Sequence, residues 1–156
     1  MTESPRTRMA EDHVDLQAGG RLLCRYVYRS DAPATESPRP YLHPLRTLAG
    51  ETVTGFRPDD HPWHHGLSFT SANLSGQNFW GGRTYVRDRG YTQLDDHGRV
   101  EHVSWDRRSA DRLTERLRWI TASGAGWIDE RRELAVAWVD AGRGEWALEL
   151  GFALRN

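Results

Sequence analysis

The 156-residue sequence predicts an all-β fold, an antiparallel β-sandwich, on three observations. Apolar and polar residues alternate in most segments, as expected for strands with one buried face. No segment of helical length shows an apolar period of about 3.6 residues. Turn residues recur roughly every ten positions, which is the spacing typical of sandwiches and barrels.

The predicted strands begin after a polar tail. Residues 1–12 are expected to be disordered, and residues 13–156 to form one domain, because a chain of this length rarely holds two. The apolar positions of residues 14–16 and 22–28 alternate on either side of a Gly-Gly turn and predict a hairpin. A proline-bearing connection then leads to a short strand over residues 41–45.

The remaining sequence continues the alternation. Residues 66–70 are expected to form a strand. Residues 91–94 and 99–105 are expected to form a hairpin whose turn is Asp95-Asp96-His97-Gly98, with the glycine supplying a positive φ. Three further alternating segments follow, at residues 113–119, 134–138 and 146–154. The last one is strongly amphipathic and ends near Asn156, which also suits a sandwich that is incomplete at its C-terminus.

Composition argues against several classes of protein. The net charge is −1, so the chain lacks the positive field that favours nucleic acid. No stretch approaches membrane-spanning length, and the N-terminus lacks the apolar core of a signal peptide. We therefore expect a cytoplasmic protein without nucleic-acid or membrane partners. Cys24 is the only cysteine, and its apolar neighbours predict a buried structural thiol.

Residues 59–66 read Asp-Asp-His-Pro-Trp-His-His-Gly and hold three of the seven histidines. We call them the histidine segment. One interpretation is proton transfer, with His61 or His64 as general base or acid and Asp60 orienting the ring. Proton abstraction next to a carbonyl, or opening of a sugar hemiacetal, needs one such base and one acid across a pocket.

A metal site is the second interpretation of the histidine segment. The candidate ligands are His61, His64 and His65, because neutral imidazole is a common ligand of zinc and similar ions. Adjacent side chains on an extended chain point to opposite sides, which separates His64 from His65. The spacing also lacks the helical i, i+4 histidine pair of metalloproteases. We therefore predict no cofactor and keep a divalent metal as an alternative.

Ligand binding without chemistry is the third interpretation. Aromatic faces stack on sugar rings, and amide and guanidinium groups bond to ligand oxygens. The predicted substrate-binding residues are Arg39, Tyr41, His43, Asn78, Trp80 and His102. A structural alternative also stays open, in which the histidines bond to main-chain carbonyls and Trp63 and Trp80 belong to the core.

Several other polar side chains are expected to be structural. His97 is expected to be solvated in a tight hairpin turn. Arginines of the later strands are expected on outward faces, in solvated ion pairs. They are Arg116, Arg118, Arg131 and Arg132.

Three separated motifs resemble the PmoA-like family, whose members carry the label methane oxygenase although their function is unknown. The motifs lie at residues 39–45, at the histidine segment with Asn78-Phe79-Trp80, and at residues 98–102. The resemblance is specific over residues 39–105 and looser elsewhere. Trp63 departs from it, because the family commonly carries a further histidine there. The membrane-embedded subunit of the same name is helical, so the label itself does not fit this chain.

The resemblance implies a soluble β-sandwich, often found in bacteria with sugar-metabolising partners. The architecture looks similar to galactose-mutarotase-like sandwiches, in which a histidine and a carboxylate act on a sugar. Family members are about twice as long, which implies that this chain corresponds to the N-terminal half of the family domain.

The sequence thus predicts a protein that binds a carbohydrate or an oxidised sugar around residues 60–66, with histidine-mediated proton transfer as its catalytic version. A non-catalytic binding or structural module is the alternative, and a metal-dependent enzyme is the second alternative. The expected partner is a small sugar-like molecule, and a homodimer is left open.

Overall fold

Two four-stranded antiparallel sheets face each other in the computed structural model, which describes residues 3–156. The described strands are β1 (Pro5–Met9), β2 (His13–Ala18), β3 (Arg21–Val27), β4 (Tyr41–Leu45), β5 (Thr84–Val86), β6 (Gly90–Thr92), β7 (Arg99–Arg108), β8 (Arg112–Ile120), β9 (Gly126–Asp140) and β10 (Glu145–Arg155). A short 3₁₀ turn spans Ala34–Glu36. The prediction of an all-β, antiparallel sandwich is confirmed.

Strand order is simple in both layers. The N-terminal sheet has the order β1-β2-β3-β4, and the C-terminal sheet has the order β10-β9-β8-β7. Strands β5 and β6 form a separate two-stranded ribbon. The ribbon belongs to the long connection between β4 and β7, which also carries the histidine segment. That connection therefore determines the shape of the surface beside the sandwich.

The apolar core lies between the inner faces of the two sheets. Val14, Leu16 and Tyr26 of the N-terminal sheet pack in one cluster with Leu113 and Leu134 of the C-terminal sheet, and all five are fully buried. Side chains of alternate residues on each strand meet here because successive residues point to opposite faces. Cys24 is buried in the same cluster, which confirms its predicted burial.

Polar groups also cross the core. The Tyr26 hydroxyl of β3 donates to the buried Glu115 carboxylate of β8 and accepts from Arg132 Nη1 at 3.2 Å. Arg132 Nε donates to Glu130 Oε1 at 2.6 Å, and Glu130 Oε2 accepts from Trp119 Nε1 at 2.7 Å. Burial raises the pKa of Tyr26 well above its usual range, so the hydroxyl keeps its proton. This network joins the two sheets.

The N-terminal residues differ from the prediction. Residues 5–9, expected within a disordered tail, form β1 and pair residue by residue with β2 from Pro5 to Met9. Main-chain hydrogen bonds form the pairing, so it needs little apolar sequence. Only Met9 packs against the main core cluster. Residues 1 and 2 of the expected tail lie outside the described part of the chain.

The hairpin predicted around His97 is wrong. Residues 90–92 pair with β5, and β7 pairs with β8 instead, from Arg99 opposite Ile120 to Arg108 opposite Leu113. Alternation identifies a strand but not its partner. The turn-like sequence of residues 95–98 therefore does not join two paired strands. His97 is accordingly not solvated, because its Nε2 donates to the Gly82 carbonyl at 2.7 Å in a largely buried setting.

Two further expectations are corrected. Residues 66–70 form no strand but only a single bridge between Leu67 and Leu42, because Gly66 adopts a φ of +49°. Arg132 points inward rather than outward and is 3% exposed. Its inward position follows from the alternation of β9, on which Glu130, Arg132 and Leu134 share the core face. The other three arginines of that prediction do carry exposed side chains.

Candidate functional site

An open cleft of about 720 Å³ lies beside the β5–β6 ribbon. Its volume falls in the range typical of small-molecule sites, roughly 300–1,000 Å³. Both aromatic and polar side chains line it. Its histidine, tryptophan, tyrosine and arginine side chains are His61, Trp63, Trp80, Arg83, Tyr85 and Tyr91.

Gly81 and Gly82 leave the space that the Trp63 side chain occupies in the cleft wall. A Cβ built on Gly82 would lie 2.6 Å from ring atoms of Trp63, and one on Gly81 would lie 2.6 Å from the Trp63 Cβ. Both glycines also adopt positive φ, +104° at Gly81 and +67° at Gly82, which disfavours any other residue. The indole therefore lies against bare backbone, and the Gly-Gly pair fixes its position.

Asn78 shapes the turn that leads into these glycines. Its Oδ1 accepts hydrogen bonds from the main-chain N–H groups of Trp80 at 3.0 Å and Gly81 at 2.8 Å. Its Nδ2 donates to Thr84 Oγ1 at 3.0 Å and to the Gly82 carbonyl at 3.3 Å. The side chain is 2% exposed, so Asn78 holds the cleft wall instead of offering a free amide to a ligand.

The opposite wall is the ribbon. Tyr85 and Tyr91 are directly opposed across its two strands, and their rings meet edge to face at 5.6 Å. They are 63% and 72% exposed, which is unusual for side chains of this size. A pair of exposed rings beside a cleft is typical of a surface that stacks on a flat or cyclic ligand.

Arg39 lies beneath the cleft and is fully buried. Its Nη1 contacts the carbonyl oxygens of Glu36, Ser37 and Trp80 at 2.9–3.0 Å. Its Nη2 donates to the Trp63 carbonyl at 2.9 Å, and its Nε to Ser68 Oγ at 3.1 Å. Desolvation lowers its pKa to about 10. The predicted ligand-binding role does not fit, because each nitrogen of the guanidinium is already bonded within the protein.

His65 forms a second buried anchor. Its Nε2 lies 2.8 Å from Glu36 Oε2, and the other oxygen of Glu36 accepts from Arg57 Nη2 at 2.6 Å. Burial lowers the pKa of His65, so the ring is neutral and donates its Nε2 proton to the carboxylate. The histidine segment is thus fixed to the 3₁₀ turn from inside.

The predicted catalytic residues separate into two groups. His61 lines the cleft, with its Nδ1 3.0 Å from Asp60 Oδ2, and both side chains are exposed. Its ring lies 5.1 Å from that of Trp63. His64 instead meets Trp80 edge to face at 5.7 Å, and neither His64 nor Asp60 belongs to the cleft lining. The predicted pairing of Asp60 with His61 is present, and His64 stands apart from it.

Three predicted binding residues lie away from the cleft. Tyr41 packs against Phe56 and His65, at 5.4 Å from each ring. His43 stacks on Phe56 at 4.9 Å and bonds to Thr54 Oγ1 at 2.9 Å. His102 lies in the sandwich interior.

The His102 ring bonds to Glu115 Oε1 at 2.6 Å. Neither His43 nor His102, both predicted to bind the substrate, therefore lines the cleft. Of the predicted binding residues, Trp80 and Asn78 do line the cleft, and the Asn78 amide is hydrogen-bonded within the protein.

The metal candidates do not converge. His61 faces Asp60, His64 faces Trp80 and His65 faces Glu36. Within residues 3–156, no three His, Cys, Asp or Glu side chains are placed so that they could hold a metal ion.

Four residues that line the cleft were not predicted from the sequence: Arg83, Tyr85, Tyr91 and Gln93. The available signal was two tyrosines in a short run of polar and glycine residues. A tyrosine in a mostly polar stretch of sequence does not belong to an apolar strand face, so it is expected at the surface. The partner of β6 was predicted wrongly, and the two rings were therefore not placed together.

Comparison with known proteins gives one match. The profile of a family of unknown function, DUF6807, matches residues 13–156. No curated protein and no solved structure matches the chain. The family description carries no methane oxygenase name, so the PmoA label of the sequence resemblance gains no support from it. In the described part of the chain no helix is long and apolar enough to cross a bilayer. The chain belongs to DUF6807, a family whose function is unknown.

Proposed function

We propose that the chain binds a carbohydrate in the cleft beside the ribbon. The observation that carries the proposal is the convergence of Trp63, Trp80, Tyr85 and Tyr91 around one open volume of about 720 Å³. Sugars present apolar C–H faces that stack on aromatic rings and hydroxyl groups that bond between them. A cleft with rings on two walls matches both features.

Polar groups between the rings support the same ligand class. Asn73 and Gln93 line the cleft beside the aromatic residues. Neutral amides suit sugar hydroxyls, because each can both donate and accept. The only carboxylate in the lining is Glu36, and it is occupied by His65 and Arg57. The cleft therefore presents no free negative charge among its described residues.

Arg83 favours a narrower class of ligand, sugars that carry a carboxylate. It lines the cleft, is exposed and forms no ion pair or hydrogen bond with another residue of the range 3–156. A guanidinium binds a carboxylate through two parallel hydrogen bonds. An oxidised sugar such as a uronate offers that group next to a ring that stacks. A cytoplasmic location and a small sugar acid as partner are both part of this proposal.

A binding panel tests the proposal. Glucose, fructose and glucuronate are each titrated by calorimetry into the wild-type chain and into Tyr91→Ala. We expect glucuronate to bind best, and Tyr91→Ala to weaken it about tenfold, because one stacking ring contributes roughly 1.4 kcal/mol. Tyr91 is an exposed ribbon residue, so the variant should keep its melting temperature.

Trp138→Ala is the matched control. Trp138 is another large exposed aromatic residue, 47% exposed, but it lies on β9 and not in the cleft. Its removal should leave sugar affinity unchanged. Absence of binding for all three sugars at millimolar concentration, or equal losses in Tyr91→Ala and Trp138→Ala, would contradict the proposal.

Proton transfer on the bound sugar is the second candidate function. The observation that favours it is the Asp60–His61 pair at the cleft, with 3.0 Å between Oδ2 and Nδ1. The carboxylate fixes the ring tautomer, which leaves Nε2 to accept or release a proton. His61 is then the acid or base, and Asp60 is the positioning residue.

Anomer exchange of glucuronate, followed by NMR, tests this second function. If His61 transfers the proton, His61→Gln should lower the catalysed rate at least about 100-fold while the dissociation constant changes by less than about threefold. A wild-type chain that binds glucuronate without accelerating exchange would refute catalysis of this reaction and leave the binding function intact.

A further inference from the structure

The β5–β6 ribbon stands apart from the two main sheets, because its strands pair only with each other within the described part of the chain. It is held at its base. Thr84 Oγ1 donates to Asp96 Oδ2 at 2.6 Å and accepts from Asn78 Nδ2 at 3.0 Å. Among the described residues, the hydrogen bonds of residues 85–92 stay inside the ribbon. Side chains beyond the base are therefore free to meet a ligand.

One face of the ribbon carries both exposed rings. Tyr85 and Tyr91 are directly opposed across the two strands, and opposed residues place their side chains on the same face. Arg83 precedes Tyr85 by two positions and Gln93 follows Tyr91 by two, which puts them on that face nearer the base. All four residues line the cleft. The cleft wall thus continues along the ribbon toward its turn.

Arginines lie at both ends of this face. Arg83 lies at the base, and Arg87 and Arg89 lie in the turn that joins the two strands. All three side chains are exposed. In the described part of the chain none of them takes part in an ion pair. Asp88 carries the only carboxylate of residues 83–93, so the ribbon is positively charged.

The spacing of these charges exceeds one sugar ring. Positions 83 and 87 are four residues apart, about 14 Å along an extended strand. A single uronate has one carboxylate, so it can form a bidentate pair at one end only. A chain of uronates repeats both the ring and the carboxylate. It can engage both ends of the face while its rings lie over the two tyrosines.

We propose that this face extends the cleft into a site for an acidic oligosaccharide, a chain of two or more uronates. This inference rests on the proposed function, because the first sugar occupies the cleft beside Arg83. The chain then continues over Tyr85 and Tyr91, and a later carboxylate pairs with Arg87 or Arg89. The ribbon thereby selects ligands by length as well as by charge.

A single-stranded nucleic acid offers a similar combination of flat rings and negative charges. Two features favour the sugar chain. Gln93 and Asn73 line the same cleft with neutral amides, which suit the hydroxyl groups of sugars. The net charge of −1 also provides no positive field that attracts a phosphate backbone.

Uronates of different chain length test the proposal. Glucuronate, its linear trimer and the methyl ester of that trimer are each titrated by calorimetry into the wild-type chain. We expect the trimer to bind at least about tenfold more tightly than glucuronate, because a second carboxylate gains a guanidinium partner. The methyl ester keeps the rings and masks the charges, so it should bind no more tightly than glucuronate.

The double variant Arg87→Gln/Arg89→Gln separates the ribbon turn from the cleft. Both residues are exposed, so the variant should fold and bind glucuronate as the wild type does. Its affinity for the trimer should fall to that for glucuronate. The control variant is Arg107→Gln/Arg108→Gln, which removes two neighbouring exposed arginines from β7, outside the cleft lining. It should keep the full gain for the trimer.

Failure of this inference is distinguishable from failure of the proposed function. If glucuronate binds and the trimer binds no better, the inference is overturned and the proposed function stands. A gain that survives Arg87→Gln/Arg89→Gln, or that the control variant loses equally, overturns it too. Absence of binding by both glucuronate and the trimer overturns both. Oligothymidylate that binds more tightly than the trimer, and loses this affinity in Arg87→Gln/Arg89→Gln, would make the ribbon a nucleic-acid site instead.

Discussion

At the scale of single residues, buried polar side chains hold the loops that form the cleft. Arg39 gathers main-chain carbonyls from three separate stretches of chain, and Asn78 closes the turn before the glycines. His65 fixes the histidine segment to Glu36. Leaving a buried polar group without its partner costs more folding free energy than the paired hydrogen bond contributes. Substitution of these residues is therefore expected to be destabilising. Their contacts position the loops that form the cleft.

Arg39→Leu should lower the free energy of unfolding by about 3 kcal/mol or more. The change leaves buried carbonyl oxygens without a donor and removes the cation that packs 5.2 Å from the Trp80 ring. Urea denaturation followed by tryptophan fluorescence measures the loss.

The matched control for this prediction is Arg83→Leu, which removes an exposed arginine from the cleft wall. Its unfolding free energy should stay within about 0.5 kcal/mol of wild type. Similar values for the two variants would mean that Arg39 is not the structural anchor described here.

Residue chemistry could be predicted only in part from the sequence. The pairing of Asp60 with His61, and the presence of Trp80 in the cleft, follow from residues that are close along the chain. Arg39 looked like a ligand-binding residue because a sequence shows the guanidinium but not the carbonyl groups around it. These carbonyls come from residues up to 41 positions away. No local pattern reports such partners.

At the scale of elements, alternation predicted most strands and few of their partners. β2, β3, β4 and β8 to β10 follow from apolar residues at every second position, because one face of each is buried. β1 was not predicted, because pairing through main-chain hydrogen bonds does not require apolar side chains. The β5–β6 ribbon was not predicted, because its strands have only three residues each and lie outside the core. The ribbon carries Tyr85 and Tyr91, so this gap in the prediction also hid half of the cleft.

At the scale of the whole molecule, the sandwich supports a cleft that is built mainly by one long connection. The two sheets share a continuous core and a buried polar network that runs from His102 to Trp119. The connection between β4 and β7 packs on this framework through Phe79, which contacts the Trp119 ring at 4.8 Å. A rigid support with a binding surface on its connections is the usual arrangement of ligand-binding folds. The similarity to galactose-mutarotase-like sandwiches stays a prediction.

The central claim is that a sugar occupies the cleft, and the indole N–H signals of the seven tryptophans test it most directly. In ¹H–¹⁵N spectra of the wild-type chain titrated with millimolar glucuronate, the Trp63 and Trp80 signals should shift in a saturable way. The signals of Trp119, Trp138 and Trp146 should stay in place, because these residues lie outside the cleft lining. No shift of Trp63 and Trp80, or saturable shifts confined to the other three, would contradict the claim.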